Sequence, residues 1–265
     1  MSKQYQRLIL KRTGGILTIT MSSPTKRNAV DAFMHEELPQ ALREAAKDRS
    51  VGAIVLTGDP AGRAFCAGGD LDWLEQMRGS GDDFVKVLRE GAEVLHAIVD
   101  TPQPVISMVN GAAMGLGATL ALFADVCFMD EAAKIADSHV VVGVSAGDGG
   151  AVIWPLLLGP NRAKEFLMTG DALTGTQAAA IGLVNHAVPA AELEARTYAF
   201  AERMTNGPRL AIEMTKRSVN LYLRNILNQV IDASLALEGH TFRTANHEEA
   251  VSAFLAKRKP DFKNS

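Results

Sequence analysis

Apolar positions alternate with β-branched threonines along I-L-T-I-T-M at residues 16–21, the mark of a strand. Residues 7–10 read as a second early strand. From 31 to 47 the period lengthens: Phe33, Leu38, Ala41, Leu42 and Ala45 fall on one helical face, and Asp31 supplies an N-cap. A continuous apolar run, A-I-V-L-T at 53–57, reads as a strand covered on both faces. The same syntax then recurs. A helix over 84–99 leads to a strand at 105–109, a glycine-rich turn and a helix through 120–122. A strand at 126–129 and a helix over 151–158 follow. Such alternation predicts an α/β core with right-handed crossovers. After Pro189 the pattern is helical from 191 to 255, broken near 206–208, with no convincing strand. The expected division is a core over 1–190 and a helical C-terminal region over 191–265, with no strict sequence repeat and no low-complexity linker.

At 265 residues, 47% hydrophobic and 22% charged, the chain has the composition of a globular protein with a sizeable core. Its formal net charge of -3 argues against a nucleic-acid partner, which normally needs a basic surface. Cys66 and Cys127 form no disulfide framework and show no metal-ligand spacing, so a reducing compartment and no metal are expected. The opening M-S-K-Q-Y-Q-R-L-I-L lacks a signal-peptide stretch, and no apolar run reaches the roughly 18 residues of a membrane span. The expected location is cytoplasmic.

Two glycine-rich turns carry the first chemical signal: F-C-A-G-G-D-L at 65–71 and N-G-A-A-M-G-L-G-A-T-L at 110–120. Each follows a buried-looking strand and precedes or opens a helix. Glycine lets backbone approach a ligand, and the first turn of a helix has unpaired N–H groups. Two such turns side by side would aim donors at one oxygen, an oxyanion hole suited to an enolate or a tetrahedral intermediate. Tight packing is the plainer reading of either turn alone. A dinucleotide site fits poorly, because G-L-G-A-T-L lacks the full fingerprint.

These turns, with R-N-A-V (27–30), P-V-I-S-M-V-N-G-A-A-M-G-L-G (104–117), A-D-V-C (124–127), G-D-G-G (147–150), T-G-D-A-L-T (169–174), A-A-I-G-L-V-N (179–185) and F-L-A-K-R-K-P-D-F (254–262), resemble the crotonase superfamily, the enoyl-CoA hydratase/isomerase family. The resemblance covers nearly the whole chain. It implies an α/β spiral of ββα units with a helical C-terminal region that packs trimers, often paired into hexamers, so a homotrimer or homohexamer is expected. It also implies that the backbone N–H groups of Gly69 and Leu116 hold the thioester carbonyl of an acyl-CoA, with coenzyme A as part of the substrate and no separate cofactor. Of the implied coenzyme A contacts, Ala67 and Asp70 border the adenine end and Arg27 lies near the phosphates. Phe254 and Lys257 match C-terminal residues that reach coenzyme A on a neighbouring subunit. The plainer reading of Lys257-Arg258-Lys259 is a solvated basic tail.

The chain departs from this family where its hydratases carry two glutamates: these positions hold Thr119 and His139. His139, followed nine positions later by Asp148 before Gly149-Gly150, suggests a dyad in which the carboxylate orients the imidazole and the second ring nitrogen takes a proton from water. Asp137, two residues from His139, is a reserve partner. Thr119 bonds either a water or its own helix. His35, His96, His186, His240 and His247 read as structural or exposed, Glu75 and Glu238 as solvated helix residues, and Cys66 lacks any mark of a nucleophile. The His/Asp pair also resembles the β-diketone hydrolases, the 6-oxocamphor hydrolase-like branch, which cleave a carbon–carbon bond by water attack. Hydration of an enoyl-CoA is the first reading. Retro-Claisen hydrolysis of a β-diketone or β-oxo acyl-CoA is the alternative, and a non-catalytic assembly protein is the alternative of another class.

Overall fold

A computed structural model describes residues 5–78 and 81–262. The chain opens with β1 (Leu8–Thr13), β2 (Ile16–Met21), α1 (Ala32–Lys47), β3 (Ala53–Gly58), β4 (Ala64–Cys66), α2 (Leu71–Arg78) and α3 (Gly81–Asp100). It continues with β5 (Val105–Val109), β6 (Ala112–Met114), α4 (Leu116–Phe123), β7 (Val126–Asp130), β8 (Lys134–Ala136), α5 (Gly150–Leu158) and α6 (Pro160–Thr169). It ends with β9 (Leu173–Thr174), α7 (Gly175–Ala180), β10 (His186–Val188), α8 (Ala190–Thr205), α9 (Arg209–Thr241) and α10 (Ala245–Leu255).

The strands form a sheet in the order β1-β2-β3-β5-β7-β10 and a smaller one in the order β4-β6-β8-β9. β1 and β2 are antiparallel, while β2, β3, β5, β7 and β10 run parallel. Consecutive strands therefore step between sheets. β3–β4, β5–β6 and β7–β8 each place one strand in the large sheet and the next in the small one, and helices follow each pair. This is the ββα spiral expected from the motifs. The strands β4, β6, β8, β9 and β10 are additions to the sequence expectation; with two or three residues each they are too short to show a period.

The run at 53–57 is apolar throughout because both faces of β3 are covered. Ile54 and Leu56 join the main core beneath α1, α3 and α4, whereas Ala53 and Val55 pack with Ile106, Phe128, Leu193 and Ala201 under α8. In α1 the Asp31 carboxylate accepts a hydrogen bond from Met34 N at 3.0 Å, as an N-cap should. Phe33, expected on the buried face, is 46% exposed. The buried stripe is instead Met34, His35, Leu38, Ala41, Leu42 and Ala45, a rotation of the helix by about one residue. Past Pro189 the chain is helical, as expected, with the break at Asn206–Pro208 separating α8 from α9. Among the described residues no helix is long and apolar enough to cross a membrane.

Replacing Asp31 by Ala removes the cap and an ion pair to Arg7. The expected loss is about 1–2 kcal/mol, read as a lower urea midpoint with an unchanged slope.

Candidate active site

The β4–β6 pairing, Ala64 beside Ala112 and Cys66 beside Ala113, carries the two glycine turns out of the small sheet side by side. A Cβ on Gly68 would stand 3.0 Å from the Met114 carbonyl oxygen and 4.0 Å from Leu116 N. Gly117 allows this approach, since a Cβ there would lie 2.3 Å from the Cys66 carbonyl oxygen. Gly69 and Leu116 both line a cavity of about 380 Å³. Among the described residues, no backbone carbonyl takes either of their N–H groups. The Leu116 side chain is buried in the core, so this residue offers the cavity its main chain.

His139 opens a 3-10 turn, His139–Val142, in the cavity wall. A Cβ on Gly115 would lie 3.6 Å from its Nε2, which places the ring against the second glycine turn. Both ring nitrogens face carboxylates. Nδ1 is 2.7 Å from Asp137 Oδ1, and Nε2 is 3.0 Å from Asp148 Oδ2. The reserve partner Asp137 therefore orients the ring. Asp148 occupies the nitrogen that the sequence reading left free for water. Thr119 takes neither of its expected roles: its hydroxyl donates to Asp148 Oδ1 at 3.1 Å. Glu238, expected in solvent, is buried with Oε1 4.0 Å from His139 Nε2.

A ring with an acceptor at each nitrogen is best satisfied as imidazolium. Burial works against that charge, but Asp148 and Asp137 outweigh it and hold the His139 pKa well above the ordinary 6.5. Burial, reinforced by the charge of Asp148, pushes Glu238 well above the ordinary 4.5, although His139 pulls the other way. Asp137 has help of its own: a Cβ on Gly150, the first residue of α5, would lie 2.0 Å from Asp137 Oδ2, so this carboxylate faces a helix N-terminus. His139, Asp148 and Glu238 also bring donor atoms within 4.8 Å of one another, a spacing within reach of a cation.

Of the other expected site residues, Arg27, Ala67 and Phe254 line this cavity. Asp70 and Lys257 do not. The Asp70 carboxylate lies 3.5 Å from Lys26 Nζ and accepts from Asp72 N, so it is spent on the start of α2. Lys257 is exposed just past α10. His186 stacks on Phe128 with centroids 4.4 Å apart, His240 is exposed and His96 is half-buried, in keeping with structural or surface roles. Glu75 is exposed as expected, and burial pushes the Cys66 thiol up to about 12, a poor nucleophile. His35 and His247 are buried and line the cavity. His247 Nδ1 is anchored to the Val142 carbonyl at 2.6 Å. Glu238 was within reach of the sequence: Leu227, Ile231, Ser234, Leu235 and Glu238 form the buried helical stripe of α9.

The family model for enoyl-CoA hydratase/isomerase matches residues 11–265. A probable enoyl-CoA hydratase of Rhodobacter capsulatus is 35% identical over 97% of this chain and 98% of its own length. The crystal structure of an enoyl-CoA hydratase/isomerase from Mycobacterium paratuberculosis superposes with a TM-score of 0.87 at 33% identity, covering 93% of this chain and 97% of that one. A β-diketone hydrolase from the cyanobacterium Anabaena, bound to (S)-3-oxocyclohexyl acetic acid, superposes with a TM-score of 0.83 at 32% identity, covering 90% and 95%.

The cluster makes stability depend on pH. Both shifts are upward, so the folded chain holds these protons more tightly than the unfolded chain, and stability falls as pH rises. The His139 contribution is complete below the ordinary 6.5 and is lost as pH climbs through the raised folded value. Urea midpoints should therefore fall from neutral toward alkaline pH, with a shallower fall in His139→Gln and in Glu238→Gln. Variant curves parallel to the parent would place the titration elsewhere.

Proposed function

The chain belongs to the enoyl-CoA hydratase/isomerase family, and on that premise we propose that it adds water across the double bond of an enoyl-CoA, using Asp148 and His139 in place of two glutamates. The observation that carries this reading is the 3.0 Å contact of His139 Nε2 with Asp148 in the wall that also contains Gly69 and Leu116. An imidazole already held as imidazolium serves as an acid rather than a base. Asp148 takes a proton from water, and the hydroxyl bonds to the β-carbon. The displaced electron pair moves onto the thioester oxygen, where the N–H groups of Gly69 and Leu116 receive it. Each such donor is typically worth about 2.7–4 kcal/mol in the transition state. Nε2 then gives its proton to the α-carbon, and Asp148 returns the water-derived proton to His139. Asp137 holds the ring in place throughout. Arg27 and Ala67 on the cavity lining support a coenzyme A carrier. Exposed Leu210, Val219, Leu221 and Tyr222 on α9 support a helical face for self-assembly.

A second reading has its own support: Thr119 and His139 stand where the family's hydratases carry glutamate, and the Anabaena structure is of a β-diketone hydrolase. In that reaction water adds to a ketone carbon, the neighbouring carbon–carbon bond breaks, and its electrons form an enolate on the second carbonyl. The same two N–H groups receive the enolate oxygen, and Nε2 protonates the carbon. The convergence of a charged pair and two amides on one cavity speaks against a purely structural protein.

Purified protein offered crotonyl-CoA, a β-ketoacyl-CoA and a cyclic 1,3-diketone should hydrate the first; acid products from either of the others would instead support hydrolysis. On the accepted substrate, Asp148→Asn and His139→Gln should each lower kcat by roughly 100- to 10,000-fold. Full activity in either variant removes the assignment. Thr119→Val, which strips one hydrogen bond from Asp148, should cost less than either.

A further inference from the structure

His35 takes no part in the chemistry above, yet it is only 5% exposed and lines the cavity. Three contacts fix its ring. Nδ1 lies buried 3.5 Å from Glu90 Oε2 on α3. The ring lies 5.2 Å from Trp73, centroid to centroid. Nε2 points toward Gly91, where an added Cβ would stand 3.7 Å from it and 4.0 Å from Leu235 Cδ2. Gly91 thus leaves a gap in the wall of α3 through which Nε2 meets the cavity. Among the described residues no hydrogen bond reaches Nε2, and its neighbours there, Trp73, Leu88 and Leu235, are apolar. Leu235 lies one turn before Glu238 on α9, so this corner is displaced from the reacting centre by about 5 Å along that helix. A polar nitrogen set in an apolar wall needs a partner. Among the described residues none supplies one, and the ring lines the cavity.

We infer that His35 is a specificity-determining residue whose Nε2 recognises an oxygen acceptor, a carboxylate or ketone, on the part of the substrate remote from the reacting carbonyl. Glu90 faces the other ring nitrogen at 3.5 Å, a charge contact rather than a hydrogen bond. The inference deepens the proposed function and rests on the same cavity taking the substrate's acyl portion. It makes the preferred substrate a bifunctional acyl compound rather than a plain fatty acyl chain.

Equilibrium binding tests it apart from catalysis. Saturated acyl-CoAs from succinyl- to suberyl-CoA, and their methyl-ketone analogues, are compared with plain acyl-CoAs of equal chain length by calorimetry. At least one oxygenated member should bind about tenfold more tightly than its plain counterpart. That ratio should fall to about one in His35→Leu. It should fall likewise in Gly91→Ala, which covers Nε2 at ordinary contact distance without touching the ring and, being in a helix, keeps the fold. Equal binding of both series by the parent, or a preference that survives both variants, overturns the inference. If no coenzyme A ester binds, the carrier assignment has failed instead. The same comparison is then made with the free dicarboxylic, keto and monocarboxylic acids, and the same ratio decides.

Discussion

An imidazolium held between two carboxylates inside the protein is the constraint around which the site is built. Burying charge is costly unless every partner is present, and removing one partner of such a set typically costs about 3–5 kcal/mol. Here the partners come from four separate places. Asp137 and His139 flank Ser138 at the end of β8, Asp148 precedes α5, Thr119 comes from α4 and Glu238 from α9. The Thr119 hydroxyl gives Asp148 a second partner, while Asp137 Oδ2 faces the first residue of α5 without a hydrogen bond. Burial, reinforced by the charge of Asp148, favours the neutral form of Glu238.

The small sheet turns this cluster into a site with a fixed geometry. Met114 pairs with Ala136 in the β6–β8 register, and Gly115 N donates to the Ala136 carbonyl at 2.9 Å. The second glycine turn and the Asp137–His139 segment therefore leave adjacent strands at the same level. A slip of one residue would invert the faces of β8 and break the alignment. On the other side, β4 pairs with β6 and brings the first glycine turn to the same edge. The distance between the two amides and the imidazole is thus set by strand pairing rather than by loop conformation. The large sheet, with both faces of its central strands buried, supplies the rigid support beneath.

Legibility in the sequence followed the length of the signal. The two-faced run of β3 and the stretch of β2 were readable because five or more residues carry one pattern, and the cap at Asp31 because one residue type suffices at a helix start. β6 and β8 were not, although they set the register of the site, because three residues cannot establish a period. The glycine turns and the spacing from His139 to Asp148 marked the right segments. Sequence alone does not say which nitrogen each of Asp137 and Asp148 meets. Glu238 and His35 lay on buried stripes of α9 and α1, where their neighbours' spacing carried the information. Asp70 and Lys257 rested on motif position alone. The start of α2 engages the Asp70 carboxylate, whereas the Lys257 side chain is exposed just past α10.

The two reactions weighed in the proposed function make the same geometric demands on a site. In an enoyl thioester the carbon attacked by water lies three bonds from the oxygen that becomes the enolate. In a 1,3-dicarbonyl compound the count is the same, and in both the carbon between them receives the proton. Two amides, one base and one acid therefore meet their targets in the same places. The difference is a second oxygen: attack on a ketone builds negative charge on the attacked carbon's own oxygen, which an alkene lacks. Hydrolysis then needs a further donor beside the water, and a carboxyl group held neutral is such a donor. Glu238 lies 4.0 Å from His139 Nε2, with its proton retained by burial and by the charge of Asp148. On the proposed function, the choice between the reactions depends on where that proton points and on the substrate the apolar wall admits, while the pair proposed to activate water serves either.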